Sequence, residues 1–331
     1  MIMPASPLNW VVVVADGDPV RAGWNRAAQA AGVAAPRFVT WASVLASEAG
    51  FRRGEHVFFE RLQWQPSNPV GGQRARHQAF EAAVRRLDAT VAETGAVLVT
   101  APETAVLALD RNDRDAFLRE RGVPVLEPSD PMQAGTNIMQ PRFAAADDWI
   151  ADRSHTTLYP HYTRSGVEVR RGPAESSVNA LDIRNMAEML EPDGIHAVAW
   201  LHRAYLDNDF YDMRFALVDG KVTHAAGVVR ERIIAREWYG GRRRELADFQ
   251  DRFGDARWSK LVALAERTAA LFPGIRSLGV DVILDNFEAE YVFDVNPFGA
   301  HLPGLVGDPG TIGEGVSVRA AVLRSLSFSD R

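Results

Sequence analysis

The 331-residue sequence contains no cysteine, which excludes disulfides and thiolate metal sites and leaves the redox compartment open. Lysine is nearly absent as well. It occurs only at Lys221 and Lys260, and arginine supplies the rest of the 37 basic residues. A site that ordinarily uses lysine must here use arginine or another group. Positive charge is not in excess: the formal net charge is −6, which argues against the basic surface that bulk nucleic-acid binding needs. No long hydrophobic run occurs. The apolar stretch from Trp10 to Ala15 is far too short to cross a bilayer, and Met1 to Pro7 carries no basic residue, so no secretory leader is expected. The resulting expectation is a cytoplasmic protein, with neither nucleic acid nor membrane as partner.

With 47% hydrophobic and 24% charged residues, the composition is that of a soluble globular protein, and the length suits two or three lobes. The N-terminal third alternates strands and helices. Asn9 to Ala15 is a continuous β-branched run, as in a strand buried on both faces. Val20 to Ala31 reads as a helix closed by Gly32, and Ala35 to Thr40 as a second strand. Phe80, Ala83, Val84, Leu87 and Val91 recur at helical spacing before a strand at Ala96 to Thr100. This alternation predicts a parallel α/β layer. Asp16-Gly-Asp-Pro19 lacks the spacing of a dinucleotide loop, so NAD is not inferred. The turn-rich stretch Arg61 to Gly72 is either a surface connection or a ligand loop, with Arg61 and Ser67 as substrate candidates.

Asp113 to Arg121 reads as a helix ending at Gly122. From about 130 to 195 the pattern is mixed, with one helix near Leu181 to Leu190. Phe215 to Val218 and Lys221 to Ala226 flank Asp219-Gly220, a strong hairpin signal. Ser259 is positioned to cap a helix carrying Leu261, Leu264, Ala265, Thr268 and Leu271 on one face, stopped by Pro273-Gly274. His202, His224 and His301 are scattered and read as structural or surface residues, with His301 close enough to the next motif to lie near an acceptor.

The most informative stretch runs from Leu278 to Gly304. It predicts two strands, Gly279 to Leu284 and Tyr291 to Asn296, joined by a polar loop. If Leu284 faces Tyr291, the antiparallel register sets Asp281 opposite Asp294. Such a carboxylate pair destabilises a hairpin, and a bound cation reverses that sign. Asn296 lies two residues beyond Asp294 and projects from the same face. Two carboxylates and an amide oxygen are hard donors suited to Mg²⁺ that completes its shell with phosphate oxygens and water. The alternative is an ordinary hairpin, with Asp-Val-Asn-Pro opening a turn.

This segment resembles the C-terminal signature of the ATP-grasp superfamily, in which an aspartate on a Gly-Val-Asp-Val-like strand precedes Glu-Val-Asn-Pro. The resemblance implies that Asp281, Asp294 and Asn296 hold the magnesium bridging the ATP phosphates, with aspartate at 294 where the family has glutamate, and that Phe293 lies beneath the adenine. Upstream, Tyr205 to Arg230 is similar to the family's hinge and following strands. The resemblance implies that the backbone of Tyr205 and Leu206 pairs with adenine, that Asp207 or Asp209 holds the ribose, and that Arg214, Arg230 and Arg232 serve phosphate, substrate or the acyl phosphate. On the residues alone, Arg214 is equally well explained by an ion pair with Asp212. Ile234 to Arg244 falls where peptide-ligase members carry a glycine–arginine loop. The lid matches least. Tyr159 stands at the position of the family's lysine, and Arg164 or His161, with Thr163, Ser165 and Gly166, would form the phosphate loop; Arg142 and Arg111 are stand-ins for the other basic contact.

The fold so implied is α/β and α+β: an N-terminal Rossmann-like domain over 1–105, a small lid subdomain over 106–198 and a C-terminal catalytic subdomain over 199–331. The implied activity is an ATP- and Mg²⁺-dependent carboxylate–amine ligase acting through an acyl phosphate, with a small-molecule or peptide carboxylate and an amine acceptor as partners and a homodimer as one expected assembly. The C-terminal ending is also similar to that of a bacterial branch of the superfamily. A nucleotide-binding protein without turnover, and a phosphotransferase on the same scaffold, are the alternatives. Asp294→Ala is expected to abolish ATP turnover while leaving the fold largely intact.

Overall fold

The computed structural model describes residues 9–60, 73–129, 137–143, 149–154, 157–162, 195–199, 205–206, 209–230, 242–244, 246–284, 289–300, 302 and 304–329. The helix expected near Leu181 to Leu190 lies outside them, as do Arg61, Ser67, Arg164, Asp207 and Arg232.

Four parallel strands form the first sheet in the order β2-β1-β3-β4, with β1 at Trp10–Val14, β2 at Arg37–Thr40, β3 at His56–Phe59 and β4 at Val97–Leu98. Period-2 alternation divides the valine run of β1 between two cores. Val11 and Val13 pack with Trp41, Phe80, Val84 and Leu87, while Trp10, Val12 and Val14 pack with Trp24, Ala27 and Ala28. Helix α1 spans Val20–Ala31 and ends at Gly32, whose φ of 70° is the left-handed conformation that terminates helices. Beyond the predicted elements lie a short α2 at Trp41–Leu45 and α4 at Pro102–Leu109. The long α3 covers Gln73–Thr94.

The second sheet is antiparallel, in the order β12-β11-β10-β13-β14, with β9 also paired to β10. Its strands are β9 Tyr205–Leu206, β10 Asp209–Val218, β11 Lys221–Arg230, β12 Arg242–Arg244, β13 Ser277–Leu284 and β14 Glu290–Asn296. Asp219 and Gly220 turn between β10 and β11 with φ of 48° and 75°, the pair of positive values that a tight hairpin requires. On one face of this sheet Met213, Phe215, Leu217, Val280 and Val282 pack against Leu261, Leu264 and Ala265 of α6, Leu246–Ala270. Ser259 does not begin this helix but lies inside it. The backbone break is earlier, at Gly254 (φ 78°, ψ 160°), where the lack of a Cβ makes that conformation accessible.

A third, antiparallel sheet has the order β7-β6-β5-β8, from β5 Asn137–Pro141, β6 Trp149–Ser154, β7 Thr157–Tyr162 and β8 Ile195–Ala199. Between the first and third sheets in sequence lies α5, Arg111–Glu120, capped by Asp110, whose side chain accepts from the backbone of Asn112 and Asp113. The last helix, α7 at Val318–Ser329, returns to the first sheet: Ala320, Ala321, Leu323 and Leu326 share the core of Trp10, Val12 and Val14. Among the described residues no helix is long and apolar enough to cross a membrane.

Candidate functional site

The site is built on three adjacent strands. Arg214 on β10 pairs in register with Asp281 on β13, and Asp281 in turn pairs with Asp294 on β14. Gly279 faces Asn296. The predicted carboxylate pair is therefore present, but for a different reason. Leu284 faces Glu290 rather than Tyr291, and a bulge restores the offset: Val292 opposes Val282 while Asp294 opposes Asp281, leaving Phe293 as the extra residue. The bulge also changes side-chain parity. Val292 and Val295, an odd number of residues apart, both enter the hydrophobic core, and Asp294 and Asn296 are left half-buried beside Asp281.

Beyond β14, the Asn296 side-chain oxygen accepts from the Phe298 backbone N–H at 3.1 Å, which opens the Asn-Pro-Phe-Gly turn. Gly299 completes it with φ of 77°. The turn lies directly over β13, since a Cβ on Gly279 would come within 2.9 Å of the Ala300 backbone nitrogen. Phe298 reaches the first sheet, with its ring 6.0 Å from that of Phe59 and 6.3 Å from that of Phe80. The end of β14 is thus fixed between the first and second sheets.

A helix supplies the positive charge. Arg111 and Arg114 lie three residues apart on α5, on one face of the helix. Arg114 is fully buried. Its Nη1 donates to Asp294 Oδ1, its Nη2 to the Phe293 carbonyl at 3.0 Å, and its Nε to Asp115 Oδ1 at 2.8 Å. Arg111 Nη2 lies 3.7 Å from Asp294 Oδ2, and Arg214 Nη2 lies 3.7 Å from Asp281 Oδ2. The partner of Arg214 is therefore Asp281 across the sheet. The network continues into the third sheet. His196 on β8 places Nε2 3.2 Å from Asp115 Oδ2 and Nδ1 2.8 Å from Asn112 Oδ1.

Burial works against charge throughout this cluster, and the partners decide the outcome. Desolvation would lower the Arg114 pKa, but Asp115 and Asp294 outweigh it and raise it. Desolvation would raise Asp115, but Arg114 and His196 hold it below the ordinary carboxylate range. For His196 desolvation prevails over Asp115, and its pKa is lowered. The cluster sets Arg114 between two carboxylates, with the His196 imidazole behind it.

The other expected residues fall in two groups. Tyr205 and Leu206 form β9 and pair with Phe210 and Asp209, while Arg230 faces Phe210 from β11. This backbone row is four residues along β10 from Arg214, about 13 Å at the rise of a strand. Phe293 is buried at the bulge, with its carbonyl held by Arg114. Tyr159 sits on β7, paired in register with Asp152. Arg142, a proposed stand-in for a basic contact, forms two parallel hydrogen bonds of 2.8 Å with Asp110 and reaches Asp113 at 3.1 Å. His224 is a strut: its Nε2 donates to the Val316 carbonyl at 2.7 Å, and Thr223 Oγ1 lies 2.9 Å from Nδ1. Arg114, Asp115 and His196 were not singled out from the sequence. The only hint was the Arg111/Arg114 spacing within a charged run that otherwise reads as a solvated helix face.

No protein-family profile and no curated protein sequence matches this chain. Solved structures do. The chain is similar to the ATP-grasp ligase PsnB complexed with minimal precursor, Mg and ADP, at 16% identity and a TM-score of 0.53, covering 97% of each chain. It is similar to D-cycloserine synthetase DcsG, at 16% identity and a TM-score of 0.54, over 96% of this chain and 100% of that one. D-alanine–D-alanine ligase from Bacillus anthracis matches at 10% identity and a TM-score of 0.51, over 90% and 89%. The parallel first sheet, the small antiparallel sheet and the bulged hairpin sheet together make the fold of this chain that of the ATP-grasp ligases.

Proposed function

We propose that this protein is an ATP- and Mg²⁺-dependent ligase that joins a carboxylate to an amine. The observation that carries the reading is the row Arg214–Asp281–Asp294, with Asn296 beside it, on a bulged hairpin of an ATP-grasp fold. The donor chemistry fits a hard divalent cation. Among the described residues no three acidic or histidine side chains gather to hold a metal, so the third donor would be neutral, as Asn296 is. Arginines already offset part of the Asp281–Asp294 repulsion, yet a carboxylate offers about four acceptor positions, and Asp294 keeps capacity beyond Arg114 and the Val295 N–H. Asp281, Asp294 and Asn296 would hold Mg²⁺, which when bound neutralises charge on the transferred phosphoryl group.

ATP would lie between the third and second sheets, the lid and catalytic subdomains of this reading, with the first sheet contributing to the substrate side. The backbone of Tyr205 and Leu206 would meet adenine, Asp209 the ribose, and Phe293 the base from below; Arg164 would contact phosphate. A substrate carboxylate oxygen attacks the γ-phosphorus and ADP leaves. The amine nitrogen then attacks the acyl carbon, loses its proton, and inorganic phosphate departs as the amide forms. Arg214, Arg230 and Arg232 would stabilise the charge that develops on the acyl phosphate. Most of the acceleration would come from position and preorganised charge. That PsnB was captured with a precursor peptide supports including peptide carboxylates among the candidates, beside small acids.

The test is ADP release in a matrix of acids and amines, with product mass separating an amide from a phosphate ester. Asp281→Asn should abolish turnover. Undiminished ADP release by that variant would reject the cation assignment. Asp281 is a cleaner probe than Asp294, whose removal would also strand a buried arginine. A second reading rests on Tyr159: a phenol at the lid's lysine position supplies no positive charge, which favours a protein that holds nucleotide without turning it over. Calorimetric binding of ATP and Mg²⁺, without ADP release on any acid and amine pair, is the outcome that would select it.

A further inference from the structure

Among the described residues Arg114 is the largest fully buried side chain. A buried guanidinium is costly unless its donors are met, and here Asp115, Asp294 and the Phe293 carbonyl meet them. Two of these acceptors belong to the bulge itself. Phe293 is the residue with no opposite number on β13, and Asp294 is the next. Strand pairing leaves the extra residue of the bulge, Phe293, unfixed, and although Asp294 is paired with Asp281 and its Oδ1 accepts from the Val295 N–H at 3.1 Å, pairing sets its backbone and not the aim of its carboxylate. The planar fork of Arg114 supplies that aim by holding the carbonyl before Asp294 and the carboxylate of Asp294 together. Arg114 is in turn held by Asp115, and Asp115 faces His196 on the third sheet.

We propose that Arg114 is the positioning residue of the cation site. By gripping the bulged Phe293 carbonyl and Asp294 at once, it sets how Asp294 presents its carboxylate beside Asp281. This rests on the reading of the hairpin as a cation and nucleotide site. A lysine at 114 would keep the charge but lose the fork, so it can serve only part of the arrangement.

The test uses the full-length protein with Mn²⁺ in place of Mg²⁺ and AMP-PNP in place of ATP. AMP-PNP affinity is measured by calorimetry in EDTA and in Mn²⁺, and the ratio reports the cation-dependent gain. In Arg114→Met, affinity in EDTA should be unchanged while the gain falls by about 10- to 100-fold, the usual effect of removing a group that orients a metal ligand. Arg114→Lys should recover part of it. An undiminished gain in Arg114→Met, with the gain lost in Asp281→Asn, overturns the positioning role and leaves the cation site standing. An equal loss in EDTA and in Mn²⁺ also overturns it, because a merely structural arginine would lower both. Full gain in Asp281→Asn, or no gain in the wild type, overturns the cation site and the positioning role together. If Arg114→Met does not fold, Arg114→Lys decides on the same ratio: a reduced gain supports the proposal and an undiminished one overturns it.

Discussion

Replacing Asp294 with alanine is expected to destabilise the fold by about 3 kcal/mol, the lower end of the range for breaking a buried ion pair. The expectation from sequence that Asp294→Ala leaves the fold largely intact does not survive the contact with buried Arg114. The figure follows from the partners. Arg114 has no solvent exposure, and its three nitrogens donate one each to Asp115, Asp294 and the Phe293 carbonyl. Removing Asp294 strands one nitrogen of a charge that water cannot reach, while Asp115 and the carbonyl keep the loss from being greater. Asp281→Ala is the control. Its arginine partner lies at 3.7 Å, and both side chains keep some exposure, 15% for Arg214 and 23% for Asp281, so about 1 kcal/mol or less is expected. The double variant Arg114→Met/Asp294→Ala should be less harmed than the sum of its parts, because the two charges of the Arg114–Asp294 pair then leave together and Asp115 alone loses its arginine. Urea unfolding of the four variants and the wild type measures the differences. The reasoning fails if Asp294→Ala and Asp281→Ala unfold at the same urea concentration, or if the double variant loses the full sum.

Two further perturbations probe other parts of the structure. Gly279→Ala would drive a Cβ to within 2.9 Å of the Ala300 backbone nitrogen. It should cost about 1–3 kcal/mol as an overpacked contact and displace the Asn296 turn, so nucleotide affinity should fall with stability; unchanged thermal unfolding would contradict the close approach. Acid should also weaken the fold. His77, His196 and His224 all have pKa values lowered by burial, so the unfolded chain binds more protons than the folded one below the ordinary value of 6.5. Stability is then whole above that pH and is lost as pH falls toward the folded pKa values, by up to about 1.4 kcal/mol per pH unit for each histidine. Asp115, held low, adds a loss below the ordinary carboxylate range, and Asp308, raised by burial, opposes it in part. Unfolding free energies at pH 7.5 and 5.5 that are equal, or higher at 5.5, would refute this.

The hairpin shows how much of a site can be legible before a structure and how it can be legible for an incomplete reason. Counting residues from an assumed Leu284–Tyr291 pair brings Asp281 opposite Asp294, and the pair is there. The ladder actually begins one residue out of step, and the bulge at Phe293 corrects it. A bulge leaves little trace in a pattern of apolar residues, beyond the odd separation of Val292 and Val295. The helix at Val20–Ala31 and its Gly32 stop were readable, because amphipathic period and a left-handed terminator are local properties. So was the Asp219-Gly220 turn. Ser259 does not cap this helix because a serine is tolerated inside a helix as well as at its start, and the interruption lies at Gly254, whose φ of 78° and ψ of 160° leave the helical region.

The sequence by itself determined the parallel first layer, the Asp-Gly hairpin and the pairing of two carboxylates near an asparagine, since each is written in short-range periodicity, turn chemistry and spacing. Only the tertiary structure decided what those carboxylates face. Arg114 reaches Asp294 from 180 residues away in the chain, and His196 closes on Asp115 from yet another sheet. Whether an arginine on a helix is solvated or wholly buried depends on what packs over it, and no local pattern carries that information.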